Sequence, residues 1–203
     1  MNRAIRIAVF FALLGAAQAV QGHNLISEES SPNSWSDPVP IGNPQVSQVY
    51  YAALEAARRR VWFRFSGRAG DRIWFQVGVP VIERLRGLRP GAAVVGPGLP
   101  SSDNGFDLPP GLGAIMFEAR GEPREFHEEF TGTSSWIVIE QEYVLPSSGT
   151  WYVVAFSSGA DSGADSDRDK LWLAIGTKER FGLGDLFRLC SIKRFVREFH
   201  EVK

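Results

Sequence analysis

Through the middle of this chain apolar and polar residues alternate with a period of two, the mark of a strand with one face turned inward. The clearest runs are 49–54, 61–66, 72–79, 92–95, 112–117, 136–143, 150–157 and 170–175. They are rich in β-branched and aromatic residues, and clusters of Gly, Pro, Ser and Asp separate them. GRAGD at 67–71 and PSSG at 146–149 read as tight turns, because glycine reaches the positive φ that such turns demand. Short strands with frequent turn signals predict an all-β fold, an antiparallel β-sandwich of jelly-roll type over 49–177.

Three stretches break this period. The first 22 residues read as a signal peptide. Arg3 and Arg6 precede an apolar run from Ile7 to Leu14, and small residues follow through Ala19. The run falls short of the ~20 apolar residues that a membrane-crossing helix needs. Cleavage after Ala19 competes with cleavage after Gly22, and only the second leaves His23 at the new N-terminus. From 23 to 48 the chain is polar, with prolines at 32, 38, 40 and 44, which predicts an extended arm. Within 178–203 the period changes to helical: Leu186, Leu189, Ile192, Phe195, Val196 and Phe199 share one stripe, with Lys193, Arg194 and Arg197 beside it. This amphipathic helix is expected to dock on the sandwich; the second reading is peripheral contact with a membrane surface or a partner.

Composition narrows the classes. The chain has 22 Lys+Arg against 23 Asp+Glu, and loss of Arg3 and Arg6 takes the net charge from −1 to −3, which gives no basic field for nucleic acid. Cys190 is the single cysteine, so no internal disulfide and no cysteine-based zinc site can form, and the thiol is expected to be buried or idle. Gly-x-Ser-x-Gly, phosphate-loop, His-Glu-x-x-His and dinucleotide signatures do not occur. The expected destination is secreted or extracytoplasmic, with a surface polymer or protein as the partner.

VWFRFSGRAGDRIWFQVGVP (61–80), GTWYVVAFSSG (149–159) and LWLAIG (171–176) carry a resemblance to a known family. The aromatic-x-Phe strand, the Gly-Asp turn and the Gly-Thr strand followed by a polar loop resemble the pre-peptidase C-terminal jelly-roll modules of exported proteins. GPGLP (96–100), EEFTGTSSW (128–136) and IGTKERFGLGDL (175–186) extend the likeness to uncharacterised secreted or surface proteins. The resemblance covers most of residues 40–190. It implies a sandwich and an export route, a non-catalytic accessory or binding role, and no catalytic residue.

Three groups of residues are candidate sites. Strand alternation places Trp62 and Arg64, Trp74, and Trp136 on polar-mixed faces, where exposed tryptophan beside hydrogen-bonding groups suits a sugar ring or a protein partner. The competing reading is that the arm or the terminal helix covers that face. Asp161, Asp165, Asp167 and Asp169 lie in the polar loop 157–170 and could converge on calcium, although Lys170 stands where a calcium loop has its glycine. His23, if N-terminal, could hold copper through its amine and imidazole, with His127 as a further nitrogen. The leading reading is therefore a non-catalytic binding module. A metal-handling protein is the alternative. A hydrolase using carboxylates such as Glu125, Glu128, Glu129, Glu140 or Glu142 comes third.

Overall fold

A computed structural model describes residues 24–26, 32–55, 59–101, 105–157, 169–179 and 188–202. The strands in chain order are β1 (Asn24–Leu25), β2 (Val39–Pro40), β3 (Gln48–Ala53), β4 (Arg60–Gly67), β5 (Arg72–Pro80), β6 (Gly91–Gly96) and β7 (Gly113–Phe117). They continue with β8 (Arg124–Glu128), β9 (Thr133–Val144), β10 (Gly149–Phe156) and β11 (Lys170–Ile175), and helix α1 spans Leu189–Phe199. Two sheets form a sandwich, one ordered β1-β3-β11-β5-β9-β8 and the other β2-β4-β10-β6-β7. Neighbours are antiparallel except where the N-terminal segment adds β1 parallel to β3 and β2 parallel to β4.

The period-two reading of β4 is direct: Val61, Phe63 and Phe65 are buried in the core between the sheets. From the facing sheet come Ile73, Phe75 and Val77 of β5 with Leu171, Leu173 and Ile175 of β11. Trp151 of β10 is fully buried among them. Burial of this much aliphatic and aromatic surface is the principal stabilisation of the domain.

Two elements depart from the sequence pattern. GEPREFHEEF, whose spacing suggests a solvated charged hairpin, contributes β8 as the edge strand beside β9. Its charges fit that position, because charged side chains blunt an edge against unwanted pairing. In β9 the register against β5 shifts between Val77 and Gly78: Val77 pairs with Ile139, and Gly78 pairs with Ile137. The extra residue reverses the alternation below it. Trp136 then joins the core and Ile137 packs on the outer face, the opposite of a straight strand.

Candidate functional site

The two outer faces of the sandwich are covered differently. Over the five-stranded sheet, Trp62, Ala93, Val95, Tyr152 and Val154 are sealed by Trp35, Phe106, Leu108 and Leu112. The backbone N–H of Trp62 donates to the carbonyl of Pro32 at 2.9 Å, so the N-terminal segment lies directly on the strand. Trp62 is 1% exposed, with Phe106 and Tyr152 edge-on to its ring.

Over the six-stranded sheet lies α1. Val196 and Phe199 are buried against it, and the ring of Phe199 meets that of Tyr51 at 4.9 Å. The C-terminal end of the helix is heavily fastened. Lys170 Nζ donates to the Phe199 carbonyl at 2.8 Å, and Arg197 donates to the Thr131 carbonyl at 3.0 Å. The Glu201 carboxylate takes bonds from Arg84 and Lys170, which hold it at a pKa of about 2. Before Val196 the helix rests more lightly, with Ile192 half-buried and Phe195 41% exposed.

Between helix and sheet is a cavity of about 290 Å³. Val49, Tyr51 and Trp172 line it from the central strands, Trp74 and Gln76 from β5, and Arg124, Phe126 and Glu128 from β8. Ile192, Val196 and His200 close it from the helix side, and Thr177 and Glu179 are exposed on its lining. Gly78 makes room for the floor: a Cβ there would lie 2.1 Å from the indole of Trp172.

Two hydrogen-bond arrays fix this cavity. At one end Trp172 Nε1 donates to Ser135 Oγ at 3.0 Å. Ser135 Oγ lies 3.0 Å from His200 Nε2, and His200 Nδ1 lies 2.8 Å from the Val196 carbonyl. A carbonyl can only accept, so Nδ1 carries the proton and Nε2 accepts from the serine. Burial lowers the His200 pKa, and the Lys170 charge adds to this, while the Val196 carbonyl and Glu128 pull the other way. The protons of this array are used between protein groups, so it latches helix to sheet. At the other end the Glu140 carboxylate accepts from Gln76 Nε2 at 2.9 Å, from Arg124 at 2.8 Å and from the Trp74 side chain. Burial pushes Glu140 up, but those donors outweigh it and its pKa is lowered.

The sequence-predicted tryptophans do not share a face. Trp62 is sealed under the N-terminal segment, Arg64 is exposed on that sheet, and only Trp74 lines the cavity. The expectation of an open face for Trp62 fails because residues 32–35 and 106–112 cover the strand. Trp136 is 8% exposed and points inward because of the β9 bulge, with the Arg86 guanidinium 5.5 Å from its ring centre. Asp169 is buried opposite Arg59, with 3.7 Å between Nη1 and Oδ2, so its charge already faces a cation. His23, Asp161, Asp165 and Asp167 lie outside the described residues. His127 is exposed on β8 beside Ser134, and no group of three or more metal-ligating side chains occurs among the described residues. Cys190 is exposed, so of the two expectations for it, buried or idle, burial does not hold.

Tyr51, Ser135 and His200 carry no mark in the sequence that assigns them here. Gln76 shares the strand face of Trp74, which was the usable signal. Among the described residues no helix is long and apolar enough to cross a membrane.

No family model and no curated protein matches the chain. Among solved structures it is similar to PliG of Aeromonas hydrophila, a periplasmic inhibitor of g-type lysozyme. That likeness has 12% identity and a TM-score of 0.41, covering 77% of this chain and 100% of that one. It is also similar to the pre-peptidase C-terminal domain of a Bacillus anthracis collagenase, with 11% identity and a TM-score of 0.33 over 68% of this chain and 94% of that one. A third is CorA, a surface-associated copper-binding protein of Methylomicrobium album BG8, with 8% identity and a TM-score of 0.39 over 70% and 98%. The sandwich itself rests on the strand pairings of this chain, and it is the architecture that the pre-peptidase resemblance implies.

Proposed function

We propose that this chain is an exported, non-catalytic binding module whose ligand enters the cavity between the six-stranded sheet and α1. One observation carries the reading: an aromatic-walled cavity of about 290 Å³ with convergent polar groups. That is close to the lower end of ligand sites, about 300 Å³, and has their mixture of apolar wall and few fixed polar atoms. The charged start and short apolar run of residues 1–22 support export. A binding role is favoured over hydrolysis because Ser135 and His200 are spent on holding the helix.

The test uses the full chain and the uncharged fluorescent dye N-phenyl-1-naphthylamine. Dye fluorescence is expected to rise saturably, and Ile192→Trp, which fills the cavity from the helix side, is expected to abolish the rise while the thermal midpoint holds. Equal dye binding by the filled variant would refute a cavity site.

A further inference from the structure

We propose that the ligand of this cavity is a neutral saccharide, one ring of which packs on the aromatic wall while its hydroxyls bond Gln76, Tyr51 and Arg124. This rests on the reading of the cavity as a binding site and goes beyond it to the ligand class.

The polar atoms left over in the cavity define what fits. Gln76 is 8% exposed, and its Nε2 must face the Glu140 carboxylate, since only the amide nitrogen can donate. Among the described residues the carbonyl Oε1 has no hydrogen-bond partner, and Gln76 lines the cavity. An acceptor open to the cavity in that state can take a donor from the ligand. Tyr51 also lines the cavity, and among the described residues its hydroxyl has no hydrogen-bond partner. Burial, with the charge of Glu128 adding to it, raises its pKa, so it stays a protonated donor that can also accept. Arg124 spends one nitrogen on Glu140 and keeps further donors. The ligand must therefore both donate and accept at neighbouring atoms, as hydroxyl groups do.

The charged groups at the cavity already have partners or face solvent. Glu128 is bonded by the backbone N–H groups of Phe130 at 2.9 Å and Thr131 at 2.7 Å, and by the Thr131 hydroxyl. Arg124 and Glu140 neutralise each other at 2.8 Å, and Glu179 is exposed to solvent. An anionic ligand would find the Arg124 charge already taken, and a cationic one would meet Glu128 with its oxygens already bonded and Glu179 out in solvent. A purely apolar one would strand Gln76 and Tyr51. Trp74 and Trp172 line the cavity, and indole is a side chain that suits packing on the C–H face of a sugar ring. Glu140 fixes the planar side chains of Gln76 and Arg124 together with Trp74, so little ordering remains for the bound state.

The experiment titrates the full chain with soluble neutral cello-, chito-, xylo- and malto-oligosaccharides, followed by tryptophan fluorescence and calorimetry. At least one is expected to bind saturably. Tyr51→Phe keeps the ring and Arg124→Ala is made at an exposed position; each is expected to weaken binding about tenfold with the thermal midpoint held. Gln76→Leu is expected to weaken it further. Should Gln76→Leu not fold, the first two variants decide. Saccharide binding that survives all of them unchanged overturns the proposal. So does a panel that fails to bind while the dye still enters and Ile192→Trp still blocks it; the cavity then takes another class, such as a peptide. If the filled variant leaves dye binding intact, the cavity reading itself has failed.

Discussion

The two outer faces of this sandwich begin from similar strands and end differently. On β4 and on β5 a tryptophan alternates with core residues, yet Trp62 is 1% exposed while Trp74 lines a cavity. The difference lies in the cover. An irregular segment can follow a sheet closely, and Trp35, Phe106, Leu108 and Leu112 fill the space above Trp62. A helix is a stiff cylinder that touches a twisted sheet along a limited line. Fastened at its C-terminal end by Phe199, His200 and Glu201, α1 leaves room between the sheet and its Ile192–Val196–His200 side. One face has become core. The other has become a container.

The largest expected effect breaks the sealed face. Trp62→Ala should cost about 3–5 kcal/mol, because it empties a packed aromatic cluster, whereas Trp74→Ala should cost about 1 kcal/mol and act on binding instead. Urea denaturation of both variants measures the contrast. Next, Gly78→Ala drives a Cβ into the Trp172 ring and should destabilise by about 1–3 kcal/mol while dye affinity falls, since the cavity floor must shift.

A third test concerns the latch. The folded pKa of His200 is lowered from its ordinary 6.5, so above that value the imidazole is neutral in both states and its contribution is intact. As pH falls below 6.5 the unfolded chain takes the proton more readily, and stability drops until the folded pKa is passed. Midpoints measured across this range should decline, and His200→Gln should flatten the decline. The smallest effect is expected from Glu201→Gln, which loosens Arg84 and Lys170 at a partly exposed position and should cost about 0.5–1 kcal/mol.

The strands of the core were legible because their inward residues repeat every second position, and β4, β5, β10 and β11 follow that rule throughout. The bulge in β9 was not legible. Nothing in TSSWIVIEQEYV distinguishes a straight strand from one with an extra residue, since Trp, Ile and Val suit either face. That one residue decides that Trp136 turns inward and Ser135 turns toward the helix. The helix was visible in its 3.6-residue stripe, but the sheet face on which it docks depends on tertiary contacts. The site combines both uncertainties, so Trp74 and Gln76 could be read from strand alternation while Tyr51, Ser135 and His200 could not.

The most direct measurement is amide chemical-shift mapping of the full chain during titration with the uncharged dye N-phenyl-1-naphthylamine and then with the neutral oligosaccharides. The expected shifts are confined to the cavity-lining elements β1, β3, β5, β8, β9, β11 and α1, with the amides around Trp62 and Arg64 unmoved. Shifts centred on β4 and β10, with α1 silent, would contradict it.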